Sequence, residues 1–209
     1  MYVKICGITQ AEQARAIAQL GATALGFICV PESPRYITPK ALAEVTQALD
    51  ASGIIVDTVG VFANADPAEV ITVATQASLS HIQLHGAETL AQCQQLRTEL
   101  PQTKLIKAIR VQTSQDLGLA ITYANQVDVL LLDAYHPQQL GGTGLTLDWT
   151  ILKTFAPPCP WLLAGGLTPD NIGMALSALA PNGIDLSSGV EQRPGVKDLA
   201  LVQHLFEQL

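Results

Sequence analysis

Along the chain, short runs of consecutive apolar residues alternate with longer stretches in which apolar positions recur every three or four residues. The first pattern belongs to buried strands and the second to amphipathic helices. Eight strands are predicted: Tyr2 to Ile5, Ala24 to Ile28, Ile55 to Val61, His81 to Leu84, Lys104 to Arg110, Asp128 to Leu132, Trp161 to Leu163 and Gly183 to Leu186. Helices are expected between and after them, near Ala11 to Leu20, Lys40 to Leu49, Ala68 to Ala77, Glu88 to Leu100, Ser114 to Tyr123, Leu147 to Phe155, Pro169 to Leu179 and Lys197 to Gln208. Behind Asp66, the positions Val70, Val73, Ala74 and Ala77 form one apolar stripe.

Boundary chemistry supports these elements. Thr9-Gln10-Ala11-Glu12 has the form of a capping box, and Gly21 stands where that helix should stop. Thr38-Pro39, Asp66-Pro67 and Thr168-Pro169 each put a capping side chain before a proline, which the first helical position tolerates. Strict alternation of strand and helix implies parallel neighbours, because parallel strands need a crossover. The 209 residues divide into eight units of roughly 26, close to the lower limit for a (β/α)8 barrel. The predicted fold is therefore an α/β, single-domain (β/α)8 TIM barrel of eight parallel strands spanning residues 1–209. An open doubly wound sheet would call for a G-x-G-x-x-G turn after the first strand, where Cys6-Gly7-Ile8-Thr9 stands instead.

Composition narrows the function. With 11 basic and 18 acidic side chains the formal charge is −7. That argues against a nucleic-acid or membrane-surface binder, since either usually carries a basic stripe. An anionic ligand would have to be held locally, by backbone amides or a few cations. No apolar run approaches the ~20 residues of a membrane helix and no signal peptide is visible, so a cytoplasmic location is expected. Cys6, Cys29, Cys93 and Cys159 are scattered without a C-x-x-C pair, which suggests reduced thiols and neither disulfides nor a zinc site.

In a barrel of this kind the site lies at the carboxyl ends of the strands. Glycine-rich loops follow strands 6, 7 and 8: Gly141-Gly142-Thr143-Gly144, Ala164-Gly165-Gly166-Leu167 and Ser187-Ser188-Gly189-Val190-Glu191. Glycine lets backbone amides approach an anion, so together these loops suggest a phosphate site. Cys6 follows Lys4 at the strand period and should face the barrel interior. Its thiol reads either as a base or nucleophile with a lowered pKa or as a small buried apolar residue. Asp133 ends an apolar run and reads as a catalytic carboxylate or a turn residue, whereas Asp128 at the other end reads as structural. Arg35, in a proline-bracketed loop, could grip a carboxylate with a bidentate fork or simply be solvated. His81, Gln83 and His85 share one side of strand 4, with His85 nearer the mouth. On a strand the two histidines stand roughly 13 Å apart, which discounts a shared metal.

These residues resemble the phosphoribosylanthranilate isomerase family of tryptophan biosynthesis. The likeness is carried by Lys4-Ile5-Cys6-Gly7-Ile8-Thr9, Ser33-Pro34-Arg35-Tyr36-Ile37, Val59-Gly60-Val61-Phe62, Ile82-Gln83-Leu84-His85-Gly86, Leu132-Asp133 with the following glycine loop, Leu163-Ala164-Gly165-Gly166-Leu167 and Asp185-Leu186-Ser187-Ser188-Gly189-Val190-Glu191. It runs from Lys4 to Pro194-Gly195-Val196-Lys197-Asp198. The resemblance implies a cofactor-free and metal-free Amadori rearrangement by an aldose–ketose isomerase, converting N-(5-phosphoribosyl)anthranilate into 1-(2-carboxyphenylamino)-1-deoxyribulose 5-phosphate. It puts the general base on Cys6, the general acid on Asp133 and the anthranilate-carboxylate clamp on Arg35. Substrate binding would fall to His85, Asp185, Gly142, Gly144, Gly165, Gly166, Ser188 and Gly189, with Asp185 orienting the ribose or serving the fold. The base and acid need opposite starting protonation states near neutral pH. The implied partner is the phosphorylated sugar–anthranilate alone, with no nucleic acid or membrane, and the protein a monomer or homodimer. Rival readings are an indole-glycerol-phosphate synthase, kept open by Lys4 and Lys107, a metal-dependent ribulose-phosphate epimerase, and a non-catalytic phosphate-ligand binder.

Overall fold

The computed structural model describes residues 1–134 and 149–209. Eight strands pair in chain order: β1 (Tyr2–Cys6), β2 (Ala24–Ile28), β3 (Asp57–Phe62), β4 (His81–Leu84), β5 (Lys104–Val111), β6 (Val129–Ala134), β7 (Trp161–Leu163) and β8 (Gly183–Leu186). All neighbours are parallel, and β8 returns to β1 with Lys4 opposite Asp185, closing the barrel. The described helices are α1 (Ala11–Gln19), α2 (Pro39–Ala51), α3 (Pro67–Gln76), α4 (Leu90–Glu99), α5 (Ser114–Tyr123), α6 (Ile172–Ala178) and α7 (Leu199–Glu207).

Strand alternation divides the interior into two apolar regions. Val3, Ile5, Leu25, Phe27, Ile82, Leu84, Leu105, Leu130 and Leu132 point outward and pack under the helices, meeting Ile17, Leu42, Val70, Leu96 and Val202. A smaller cluster of Ala24, Val59, Ile106, Ala108, Leu131, Leu162 and Ala164 fills the barrel. Lys4 and Gln83 share that interior parity. The barrel centre is thus apolar in its middle layer and polar toward the mouth, where the loops begin.

Two caps match the sequence expectation. The Thr38 side chain accepts from the Ala41 amide at 3.3 Å, and Asp66 accepts from Ala68 at 2.8 Å, each with proline opening the helix. Gly21 adopts φ +119° just beyond α1, as a helix stop should. Two other caps are corrected. Thr9 does not cap α1, because its hydroxyl donates instead to the Gly195 carbonyl at 2.8 Å and Gln10 stands at the helix boundary. Thr168 does not cap α6 either: Asn171 does so without a side-chain cap bond, its amide oxygen accepting from the Thr168 backbone, so the helix starts three residues later than expected.

Further differences have local causes. β3 begins at Asp57, since Ile55 lies wholly exposed before it. Residues 149–152 of the expected helix near Leu147 to Phe155 form a single 3-10 turn, and the expected start of that helix lies outside the described residues. α4 begins at Leu90 because Thr89 forms a reciprocal capping box with Gln92, leaving Glu88 to turn inward. After β8 the chain makes a 3-10 turn, Ser188–Val190, and an antiparallel hairpin of β9 (Glu191–Arg193) and β10 (Val196–Lys197) before α7. That hairpin occupies a stretch with no apolar run to announce it.

Candidate active site

At the carboxyl ends of the strands a cavity of ≈ 500 Å³ opens. Its walls include Cys6 from β1, Arg35 from the loop after β2, His85 after β4, Asp133 from β6, Gly165 and Gly166 after β7, and Asp185, Ser188 and Gly189 from the end of β8. Nine of the eleven residues expected at the site therefore meet at one cavity. The other two, Gly142 and Gly144, lie outside the described residues.

Cys6 sits at the end of β1 in register with Gly26. A Cβ on Gly26 would lie 2.6 Å from Cys6 Sγ and 3.0 Å from Lys4 Nζ, so glycine alone leaves space for the thiol and the ammonium side by side. Lys4 is fully buried, and its Nζ pairs with Asp185 Oδ1 at 2.9 Å. Burial opposes the Lys4 charge, but Asp185 and Cys6 outweigh that cost and hold the ammonium above its usual value. The expectation of a lowered Cys6 pKa is corrected: burial pushes the thiol up, and the pull of Lys4 and Lys197 only partly offsets it.

Across the cavity His85 stands beside Asp133. His85 Nδ1 is 2.9 Å from the Gln83 amide nitrogen, which as placed leaves Nε2 as the protonated ring nitrogen. Nε2 lies 3.3 Å from Asp133 Oδ2 without the alignment of a hydrogen bond. His81, by contrast, belongs to the other end of the barrel, with Ser80 Oγ at 2.9 Å and Asp57 at 3.8 Å. Asp128 is structural as expected, accepting from the Leu105 amide at 2.8 Å and from Arg97 at 3.1 Å.

Arg35 is not solvated, and one edge of its fork is already taken. Its Nε and Nη2 already grip Glu191, the shortest contact being 2.7 Å, and the side chain is mostly buried. Glu191 also receives Lys197 Nζ at 2.7 Å and the Gly195 amide at 3.1 Å. Sequence reasoning gave Glu191 and Lys197 no role, since their pairing depends on the β9–β10 hairpin and on a partner 156 positions away. No local pattern signalled the pair, because residues 191–197 form no apolar run that would mark the lysine as buried.

The glycine-rich loops after β7 and β8 use the conformational freedom of their glycines. Gly165 and Gly166 adopt φ +89° and +64°, the left-handed region that favours glycine. At Gly189 a Cβ would collide with the Leu167 carbonyl oxygen, so the loops after β7 and β8 touch through this residue. Lys107 points away from the cavity and pairs with Glu88 at 2.8 Å, which removes it as a strand-end catalytic lysine. Among the described residues no cluster of three or more His, Cys, Asp or Glu could hold a metal ion. All four cysteines are free.

Comparison with known proteins gives the family. A family model described as N-(5'phosphoribosyl)anthranilate (PRA) isomerase matches residues 3–208. The N-(5'-phosphoribosyl)anthranilate isomerase of Trichormus variabilis is 58% identical over 209 residues, covering 100% of this chain and 98% of that protein. Among solved structures, the phosphoribosyl anthranilate isomerase of Thermotoga maritima superposes with a TM-score of 0.90 at 33% identity, covering 100% of this chain and 98% of that one. A phosphoribosyl anthranilate isomerase in complex with reduced 1-(o-carboxyphenylamino)-1-deoxyribulose 5-phosphate gives 0.84 at 32% identity, covering 100% and 97%. On this footing the chain belongs to the N-(5'-phosphoribosyl)anthranilate isomerase family and is an isomerase of tryptophan biosynthesis.

Proposed function

We propose that the chain converts N-(5-phosphoribosyl)anthranilate into 1-(2-carboxyphenylamino)-1-deoxyribulose 5-phosphate, with Cys6 as general base and Asp133 as general acid. The observation that carries this reading is the convergence of Cys6, Asp133, Arg35 and the β7 and β8 glycine loops on one cavity. Asp133 donates a proton to the ribose ring oxygen as the bond from that oxygen to C1 breaks and the anilino nitrogen forms a Schiff base. Cys6, as thiolate, then removes the C2 proton, and the electron pair left on C2 flows to the imine nitrogen to give an enolamine. Loss of the O2 proton and protonation at C1 yield the ketone. Solvent exchange returns Cys6 and Asp133 to their starting states, so no oxidant or reductant is needed.

The surroundings suit these roles. Lys4 and Lys197 both favour the thiolate that burial disfavours. His85, 3.3 Å from Asp133, is placed to steady that carboxyl or meet the ribose hydroxyls. The phosphate is assigned to amides of Gly165, Gly166, Ser188 and Gly189, with Gly142 and Gly144 completing the set, and Asp185 to the ribose. The ligand is a small phosphorylated molecule, handled without cofactor, by a cytoplasmic monomer or homodimer. No described helix is long and apolar enough to cross a membrane.

The test is steady-state fluorescence of the isomerisation with Cys6→Ala and Asp133→Asn. Each should lower kcat by about 10²–10⁴-fold, the range for a positioned acid or base, while inorganic phosphate still binds. Near-normal turnover in either variant would refute the assigned role.

A further inference from the structure

The contacts of Arg35 define which part of it a ligand can use. A guanidinium offers two edges able to grip a carboxylate through two hydrogen bonds, one made by Nε with one terminal nitrogen and one made by both terminal nitrogens. Glu191 takes the first edge: Nε lies 3.0 and 3.1 Å from its two oxygens, and Nη2 lies 2.7 Å from Oε2. Arg35 lines the cavity, whereas Glu191 and Lys197 stand behind it. The Glu191 side chain is 4% exposed and that of Lys197 0%, so solvent screens neither.

The charge count matters as much as the geometry. Arg35 and Glu191 by themselves would form a neutral pair. Lys197 Nζ, 2.7 Å from Glu191 Oε1 and 3.1 Å from the Ser187 carbonyl, adds a second cation to the same carboxylate. The trio carries a net charge of plus one, in a chain whose formal charge is −7. Buried ion clusters contribute little net stability, because desolvation consumes most of the attraction. What such a cluster supplies here is a fixed guanidinium plane and a local positive potential at the cavity wall. Burial alone would raise the Glu191 carboxyl, but Arg35 and Lys197 hold it below its ordinary value, so the carboxylate stays ionised.

We infer that Glu191 is a positioning residue: it locks Arg35 so that the Nη1/Nη2 edge meets the substrate's anthranilate carboxylate, and Lys197 keeps that edge from being neutralised. The inference rests on the reading of Arg35 as the carboxylate clamp, and its test separates the two. Reduced 1-(o-carboxyphenylamino)-1-deoxyribulose 5-phosphate and its counterpart lacking the carboxyl group are titrated against wild type, Glu191→Gln and Lys197→Met. Inorganic phosphate serves as a probe of the intact phosphate loops. A paired, charge-assisted contact predicts that wild type prefers the carboxylate ligand by about tenfold or more. Glu191→Gln should bring that ratio to within about threefold while phosphate affinity holds, because a neutral amide has one acceptor oxygen for the Arg35, Lys197 and Gly195 donors that two carboxylate oxygens now satisfy. If Glu191→Gln also loses phosphate, its fold has failed, and the ratio in Lys197→Met decides by the same criterion. An undiminished ratio in the variant that keeps phosphate overturns the positioning role and leaves Arg35 as the clamp. Equal affinities in wild type overturn the clamp itself, and the inference with it.

Discussion

Replacing Lys107 with methionine tests how the structure holds the loop that carries His85. Lys107 faces outward from β5, and its Nζ donates to the Leu84 carbonyl at 3.2 Å, the Gly86 carbonyl at 2.7 Å and Glu88 Oε2 at 2.8 Å. It thereby ties both residues flanking His85, and the Tyr123 hydroxyl supports the same turn by donating to the Glu88 carbonyl at 2.8 Å. Methionine preserves the volume but leaves the Glu88 carboxylate, which is 3% exposed, without its cation and held by the Asn64 and Gly86 amides alone. Removing one partner of a buried pair costs about 3–5 kcal/mol. For a chain of this length each kcal/mol moves the midpoint by about 2–4 °C, giving a fall in Tm of roughly 6–20 °C. Urea unfolding followed by far-UV circular dichroism and by tryptophan fluorescence, with Trp161 buried against Phe155, measures it directly. The double variant Lys107→Met with Glu88→Gln should recover most of the loss, because the buried charge is gone.

The pH dependence checks the same cause. Burial would raise the Glu88 carboxyl, but Lys107 and the Asn64 amide outweigh it and hold the folded value below 4.5. A depressed carboxylate value contributes stability that is full above the unfolded value and is lost as pH falls through the folded one. The deficit of Lys107→Met relative to wild type should therefore be largest at neutral pH and shrink below about pH 4. A loss under about 1 kcal/mol at pH 7 would refute the reasoning, since that is the scale of a solvent-screened pair.

Two further substitutions probe the cavity. Lys4→Met removes the largest influence that lowers the Cys6 thiol, whose folded value already lies above the ordinary 9.0; if the thiolate is the base, kcat/KM should climb with pH across the neutral range in wild type, and the variant's rise should be displaced to higher pH. A profile unchanged by Lys4→Met would separate the lysine from the base. Gly189→Ala puts a methyl group against the Leu167 carbonyl, which cannot yield without moving the loop after β7. Inorganic phosphate should then bind at least about tenfold more weakly, as isothermal titration would show, with the helical circular dichroism retained.

The eight strands were legible in the sequence, and on β1 and β4 so was the side that faces inward. Strands buried on both faces read as short continuous apolar runs and helices as a 3.6-residue period, and both patterns are local. Cys6, Arg35, His85 and Asp133 were legible for a related reason: a barrel presents whatever follows each strand to one face. Caps were less secure. Thr9 carries the right side chain, yet packing brings the Gly195 carbonyl to its hydroxyl, and at Thr168 it is the backbone amide that meets the Asn171 side chain, so the helix starts later.

What only the tertiary structure decided is charge state and partnership. The chain itself shows Lys4, Lys107 and Lys197 as three similar lysines. Folding pairs Lys4 with Asp185 beside the thiol, turns Lys107 outward onto Glu88, and sets Lys197 behind Arg35 on Glu191. Local sequence sets the element and the face, because hydrophobic periodicity is a short-range property. The pKa of Cys6 comes from desolvation, from Lys4 two positions away and from Asp185 and Lys197 at the far end of the chain, and the free edge of Arg35 from Glu191, 156 positions distant; the burial and the distant partners exist only in the closed barrel.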